Sequence, residues 1–149
     1  MVSKKILDNC QLKLKKGLQK FGLELGIVSH IEDNRYHLIA VDDASSTFKA
    51  GSSFQLGDTY CREVFNKAHS IAIPQQGLTR EIQDHPLYPV MPLQAYLSSP
   101  IMFNGKIWGT INFSSQHPRE PFGPDDILFN ERLAADISTS LFEEKDTTV

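Results

Sequence analysis

The sequence predicts an α+β domain whose centre is a mainly antiparallel β-sheet of five to six strands. Apolar residues recur at helical spacing near both ends of the chain, and β-type runs lie between these two stretches. The dipeptide Asn104-Gly105 separates two of those runs, and it is a strong hairpin signal. We therefore expect the N- and C-terminal helices to cover one face of the sheet, and a helix and a loop to cover a pocket on the other.

Length and composition are those of one ordinary globular domain over residues 1–149. The net charge of −3 gives no argument for binding nucleic acid or a membrane. The lysine-rich start and the lack of any run of about 18 apolar residues predict neither a secretory signal nor a transmembrane helix. Cys10 and Cys61 lie on separate predicted helices and form no metal-ligand pair, which favours a cytoplasmic protein.

The first helix is predicted over residues 4–22. Its buried stripe is expected to consist of Leu7, Cys10, Leu14, Leu18 and Phe21. Lysines crowd the remaining surface, which we interpret as a solvated face and not as a membrane-binding one.

Two strands are predicted next, at residues 26–31 and 36–41, with a turn at 32–35 between them. The small polar residues 42–53 are typical of a loop, and residues 54–56 of a short extended piece. These runs provide the first two strands of the sheet and a candidate third.

A middle helix is predicted to open at Asp58 or Thr59, either of which can serve as its N-cap. A short strand at 70–73 ends at Pro74, and a helical turn is predicted at 79–84. The segment that follows is expected to be irregular, because proline lacks an amide donor and restricts the residue before it. Its prolines are Pro86, Pro89 and Pro92.

The last helix is predicted over residues 124–144. Pro124 suits the first helical position, and Asp125 and Asp126 suit the positive end of the helix dipole. The residues expected to face inward are Leu133, Ala134, Ile137 and Leu141.

The hairpin at residues 95–114 has two competing registers. A two-residue Asn-Gly turn pairs Phe103 with Lys106 and mixes polar and apolar residues on both faces. A three-residue loop with a bulge at its glycine pairs Met102 with Lys106 and separates them. We favour the bulged loop, because a register that segregates polarity should win where one face is buried.

The favoured register gives this hairpin one apolar and one polar face. The apolar face, which can pack on the helices, holds Leu97, Ile101, Phe103, Ile107, Ile111 and Phe113. The other face holds Tyr96, Ser98, Met102, Trp108, Thr110, Asn112 and Ser114. A mostly apolar pocket needs only a few directed polar groups. The main candidates for binding a ligand are therefore Tyr96, Ser98, Trp108, Asn112 and Ser114, and the alternative is a polar sheet face covered by loop and water.

An ordered series of motifs along the chain resembles a GAF domain. The motifs are residues 25–31 with Tyr36, Gly57-Asp-Thr-Tyr-Cys61, His85-Pro-Leu-Tyr88, residues 95–101, Asn104-Gly105, residues 108–113, Pro118-Arg119, Pro121-Phe122 and Asp125-Asp126. The resemblance covers about residues 5 to 143. It implies a sensory module that binds a small molecule between the sheet and the irregular segment, with residues 77–92 as a lid.

The resemblance also implies that the terminal helices form a homodimer and pass a signal to an output domain. We find no effector domain in this sequence, so we expect either a free-standing sensor with a separate effector partner or a piece of a longer protein. A dimerisation module with a filled pocket is the alternative from a different functional class.

Four further ligand-binding candidates precede the hairpin. Tyr60 and Cys61 fall in the first turn of the middle helix, where the helix dipole favours a thiolate. A small, inert, buried thiol is the plainer interpretation of Cys61. His85 and Tyr88 could close over a ligand from the proline-rich segment, and an ordinary surface loop explains them equally well.

Two branches of the resembling family can be weighed on the cysteines. Bilin-binding photoreceptors attach their chromophore through a cysteine beside a histidine, and residues 75–94 contain no cysteine, so no covalent bilin is expected. Free methionine sulfoxide reductases use several cysteines. Here Cys10 and Cys61 would have to bring their Cα atoms within about 7 Å to form a disulfide. A thiol-based reductase using Cys61 is kept as the enzymatic alternative.

The remaining polar residues predict no catalytic or metal site. No nucleophile with a neighbouring base and no phosphate-binding loop is visible, so we expect a non-enzymatic protein. Arg119 is expected to pair locally with Asp125 or Asp126. The histidines without metal-ligand spacing are His30, His37, His69 and His117.

Overall fold

The computed structural model confirms an α+β fold with a six-stranded antiparallel sheet. It describes residues 2–43, 49–56, 69–73, 94–117 and 119–147. The predicted middle helix, the helical turn at 79–84 and the proline-rich segment lie outside the described residues.

The helices are α1, Lys4–Phe21, and α2, Pro124–Thr147. The strands are β1 Leu25–Glu32, β2 Arg35–Asp43, β3 Ser53–Gln55, β4 Ile71–Ile73, β5 Ala95–Phe103 and β6 Lys106–Ser115. Their order across the sheet is β3-β2-β1-β6-β5-β4, and each neighbouring pair is antiparallel. The long strands β1, β2, β5 and β6 therefore form the centre, and three-residue strands flank them.

Helix α1 begins and ends with standard caps. The Ser3 hydroxyl accepts a hydrogen bond from the Ile6 amide at 3.3 Å, and Gly22 ends the helix with a φ of 68°. The prediction for its buried stripe is partly wrong, since Leu7 and Leu18 are only half-buried. The residue that faces the sheet at each of these two helical turns is the preceding one, Ile6 or Gly17. The buried residues are Ile6, Cys10, Leu14, Gly17 and Phe21.

Both helices pack on the same face of the sheet, which we call the helix face. Phe113 of β6 is fully buried there, and its ring lies 5.2 Å from the ring of Phe21 in an edge-on arrangement. A Cβ atom at Gly17 would lie 2.1 Å from Phe113 Cζ, so α1 can approach the sheet this closely only through a glycine. Helix α2 buries the four predicted residues: Leu133, Ala134, Ile137 and Leu141.

The turn of the β5–β6 hairpin differs from the favoured prediction. Phe103 pairs with Lys106, so the three-residue loop that would place Met102 opposite Lys106 is wrong. Asn104 and Gly105 both have positive φ, at 53° and 75°. Two such residues form a tight turn whose twist matches the twist of the strands, which outweighs the advantage of a bulge at the tip.

The bulge lies farther along β6 and involves Trp108. Ile101 pairs with Gly109 and Met102 pairs with Ile107, so Trp108 is the extra residue. The expectation that Met102 and Ile107 lie on opposite faces is therefore wrong, because they stand directly opposite each other across the hairpin. Trp108 is likewise displaced from the face on which it was predicted.

Beyond the bulge, the predicted separation of polar and apolar residues is confirmed. Tyr96 stands opposite Ser114, and Ser98 opposite Asn112. On the helix face, Leu97 stands opposite Phe113. The bulge thus shifts β6 by one residue, and this shift produces the separation of polar and apolar side chains that was expected from a three-residue turn.

Candidate functional site

The face of the sheet opposite the helices carries a buried group of polar side chains, which we call the polar face. β1 contributes Ser29, β2 Tyr36, β5 Tyr96 and Ser98, and β6 Thr110, Asn112 and Ser114. None of the seven is more than 4% exposed. Four of the sequence-predicted ligand-binding residues are thus brought together: Tyr96, Ser98, Asn112 and Ser114.

Apolar residues surround these polar groups. Ile27 precedes Ser29 by two residues on β1 and therefore lies on the same face of the sheet, and Leu38 of β2 stands opposite Ser29. At the other edge, Ile71 of β4 stands opposite Ser98. Ile27, Leu38 and Ile71 are all at least nine-tenths buried. A few directed polar groups in an apolar surround is the usual composition of a small-molecule site.

Hydrogen bonds hold the centre of the polar face in one arrangement. The hydroxyls of Ser29 and Thr110 lie 2.8 Å apart, and the Thr110 amide donates to the Ser29 hydroxyl at 3.1 Å. Asn112 Nδ2 donates to the Tyr36 hydroxyl at 2.9 Å and to Thr110 Oγ1 at 3.4 Å. These bonds cross three strands, so the positions of the donors and acceptors are fixed by the sheet.

Ser29 is a site residue that the sequence analysis missed. It stands opposite Thr110 because β1 pairs with β6, strands that are more than 70 residues apart in sequence. A serine inside an apolar run was the only local signal, and it did not specify a partner.

Trp108 does not belong to the polar face, contrary to the prediction. Its indole stacks on the His30 imidazole with ring centroids 4.4 Å apart. It also lines a cleft on the helix face together with Leu7 of α1 and Leu141 of α2. The bulge at this residue turns the indole away from the polar groups, and local alternation could not reveal that.

The other predicted ligand-binding residues, Tyr60, Cys61, His85 and Tyr88, lie outside the described residues, as does the lid at 77–92. Cys10, by contrast, is described and fully buried in the core of the helix face. Desolvation raises the pKa of its thiol from 9.0 to about 12, which makes a thiolate unfavourable at neutral pH.

The other polar residues have local roles. Arg119 lies 3.8 Å from Asp126, confirming the expected local pair, and also donates to the Phe21 carbonyl at 3.1 Å. His117 lies 3.2 Å from Glu24. Within the described ranges, no group of three histidine, cysteine, aspartate or glutamate residues could hold a metal ion.

Comparison with known families gives one match that covers most of the chain. A sequence model of the family described as GAF domain matches residues 10–141. No curated protein sequence matches. In the part of the chain that the structure describes, no helix is long and apolar enough to cross a membrane.

Three solved structures illustrate the similarity of the fold. The GAF domain of an Acinetobacter phosphoenolpyruvate-protein phosphotransferase gives a TM-score of 0.76 at 14% identity, over 96% of this chain and 85% of that one. The PixJ GAF domain of Thermosynechococcus elongatus, in its blue-light absorbing form, gives 0.70 at 16%, over 97% and 92%. A type II free methionine-R-sulfoxide reductase from Thermoplasma acidophilum gives 0.73 at 16%, over 94% of both chains. At such identities the likeness concerns the fold alone.

Proposed function

The chain belongs to the GAF domain family, and on that premise we propose that it is a non-enzymatic sensory module for a small organic ligand. The ligand would bind against the polar face, between the sheet and the segment at 77–92. We further propose a cytoplasmic location and signalling through the terminal helices or a separate effector. Neither a covalent bilin nor a nucleic acid or membrane partner is part of this proposal.

The observation that carries the proposal is the burial of the polar face on the side of the sheet away from both helices. A sheet needs only apolar residues to pack against a cover, and burying hydroxyls and an amide costs free energy unless they are hydrogen-bonded. Here Ser29, Thr110 and Asn112 keep their bonds within an apolar surround. Such fixed groups can recognise one ligand with little reorganisation.

Adjacent serines on β5 link this site to a terminal helix. Ser98 faces the polar side, and Ser99 faces α2, where its hydroxyl accepts a hydrogen bond from Asn130 Nδ2 at 2.9 Å. The Asn130 amide also donates to the Ile111 carbonyl at 3.3 Å. A displacement of β5 by a ligand would therefore reach α2 through one residue. A ligand can shift the equilibrium between two positions of β5 and α2 only by binding the protein better in one position than in the other.

We expect metabolites that bind the polar face to raise the melting temperature, and we expect Ser98→Ala to weaken that effect. Loss of one buried hydrogen bond to the ligand should weaken binding about three- to tenfold. Ser115→Ala is the matched control, because it removes a buried serine hydroxyl from the opposite face of the sheet, outside the link between Ser99 and Asn130. The measurement is the ligand-induced shift of each variant relative to its own ligand-free melting temperature, supported by native mass spectrometry.

Two results would contradict the sensor proposal. One is that no ligand class raises the melting temperature. The other is that Ser115→Ala weakens binding as much as Ser98→Ala, since the hydroxyl on the polar face would then have no special role.

The reductase alternative was based on Cys61, which lies outside the described residues, and the described cysteine, Cys10, gives it no support. Cys10 is buried on the helix face, and its raised pKa disfavours the thiolate that such chemistry requires. The polar face, on the opposite side of the sheet, is therefore not within reach of this thiol.

Self-association is the second candidate function, and exposed apolar residues on α2 favour it. Leu128 and Phe142 are 46% and 41% exposed, and Ala135, halfway between them, is exposed as well. A spacing of seven residues places all three on one side of the helix. Such a stripe is typical of a helix that pairs with a second helix.

We expect the protein to be a homodimer at concentrations of tens of micromolar, and we expect Leu128→Glu with Phe142→Glu to make it monomeric, because two buried charges would oppose the interface. The measurement is mass by light scattering after size-exclusion chromatography. Gln116→Glu, which adds a charge at an exposed position outside α2, should leave the dimer intact. A monomeric unmodified protein would exclude this candidate.

A further inference from the structure

The cleft that Trp108 lines is on the helix face, on the opposite side of the sheet from the polar face. The start of α1, the last turns of α2 and the ends of β1 and β2 surround it, and its volume is about 720 Å³. That volume is in the range of small-molecule sites. Its apolar wall is formed mainly by Val2, Ile6, Leu7, Ile39 and Leu141.

Aromatic rings line the side of the cleft that the sheet provides. The Trp108 indole and the His30 imidazole are stacked, with an interplanar angle of 27°. The His37 ring follows, with its centroid 6.4 Å from that of His30. The β6 bulge is what brings Trp108 to this position, so the bulge builds the cleft and does not merely correct the register.

The hydrogen bonding of His30 determines the protonation of the ring nitrogen that faces Glu32, a charged residue of the cleft. His30 Nδ1 lies 2.7 Å from the Trp108 carbonyl oxygen. A carbonyl oxygen only accepts, so Nδ1 carries the proton of a neutral ring, and Nε2 is then an acceptor. Nε2 lies 3.5 Å from Glu32 Oε2, which also only accepts. Two acceptors at this separation can share one donor, and an N–H group of a bound ligand would fit between them in place of solvent.

The charges in the cleft favour a cationic donor. The Glu32 carboxylate is the negative group beside the His30 imidazole, and neither lysine nor arginine is among the lining residues that the structure describes. A tryptophan ring attracts a cation placed over its face. A ligand with an ammonium group and an apolar body would therefore donate hydrogen bonds to Glu32 and His30 and pack against the apolar wall.

We propose that this cleft is a binding site for a small organic amine. The ammonium group donates to Glu32 Oε2 and His30 Nε2, and the apolar body lies along Trp108 and the aliphatic wall. Since the start of α1 and the end of α2 both line the cleft, an occupant contacts both terminal helices directly. This site is independent of the ligand proposed for the polar face.

Trp108 makes the proposal directly measurable, because it is the only tryptophan in the chain. Phenethylammonium is the probe, with phenylacetate and 2-phenylethanol as anionic and neutral analogues of similar shape. The titrations are done at about pH 8.5, where an ordinary imidazole is neutral and an alkylamine is protonated. We expect saturable quenching or a spectral shift of the Trp108 fluorescence with phenethylammonium, and binding at least about fivefold weaker for both analogues.

Variants locate the ammonium group. Glu32→Gln should weaken phenethylammonium binding about three- to tenfold, because it removes a partly exposed charge but keeps the size of the side chain. Glu120→Gln, an equally conservative change at an exposed residue outside the cleft, should have no effect. Amide chemical shifts measured by NMR should change around residues 30–32 and 108 and remain unchanged around 96–98.

Four results would overturn the proposal. Three are the absence of a saturable fluorescence change, equal binding of the three probes, and binding that Glu32→Gln leaves unaltered. NMR changes centred on residues 96–98 would also overturn it, because they would place the amine on the polar face.

Discussion

Gly109→Ala is expected to destabilise the protein by more than about 4 kcal/mol, or to prevent folding. A Cβ atom at this position would lie 1.7 Å from the Ser29 carbonyl oxygen and 2.7 Å from its carbonyl carbon. The obstacle is backbone inside a sheet, so no side-chain rotation can relieve the clash. Since Gly109 pairs with His30 where β1 meets β6, the two central strands would have to separate there. Thermal unfolding should show a melting temperature lower by about 10 °C or more.

Gly123→Ala is the control for this substitution. A Cβ atom at Gly123 would have no neighbour within 4 Å, and the residue does not have a positive φ. Its free energy of unfolding should stay within about 0.5 kcal/mol of the unmodified value. A Gly109→Ala protein as stable as the control would show that β1 and β6 do not pair closely at this point.

Phe113→Ala is expected to lower the free energy of unfolding by about 3–5 kcal/mol. The ring is fully buried between α1 and the sheet, and it packs edge-on against Phe21. A Cβ atom at Gly26 would lie 3.1 Å from the ring and one at Gly17 only 2.1 Å, so the ring touches backbone on two sides. Backbone held in a helix and a strand cannot collapse into the space left by alanine, which puts the cost near the upper end of the range.

Phe142→Ala gives the comparison for a phenylalanine outside this core. Its side chain is 41% exposed, and it contacts Phe103 with ring centroids 4.9 Å apart. We expect a loss of about 1 kcal/mol. The measurement is chemical denaturation of both variants, and similar losses for the two would mean that Phe113 is not the centre of the core.

The helices and strands themselves were predictable, because their signals are local. The spacing of Cys10, Leu14 and Phe21 predicted α1, and Pro124 with its aspartates predicted where α2 begins. The composition of the polar face was also predictable beyond the bulge. Alternation along β5 and β6 places Tyr96, Ser98, Asn112 and Ser114 on one side whatever the turn, provided that one residue is gained somewhere in the hairpin.

The place where that residue is gained could not be read from the sequence. The dipeptide Asn104-Gly105 suits a tight turn and also a bulged loop, and the choice between them depends on the strand that pairs with β6. In the folded protein Ser29 approaches the backbone at Gly109, and the bulge falls beside it at Trp108. Ser29 and Gly109 are far apart in the chain, so the sequence around either residue does not indicate that the two meet.

The sequence by itself determined the α+β class, the existence of the hairpin and the separation of its polar from its apolar residues, because each follows from the side chains of neighbouring positions. Tertiary structure alone decided that Ser29 completes the polar face and that Trp108 lies in a cleft against His30 on the other side of the sheet. The physical reason is that strand pairing fixes which distant residues meet, and a single extra residue in β6 reverses the direction in which an indole points.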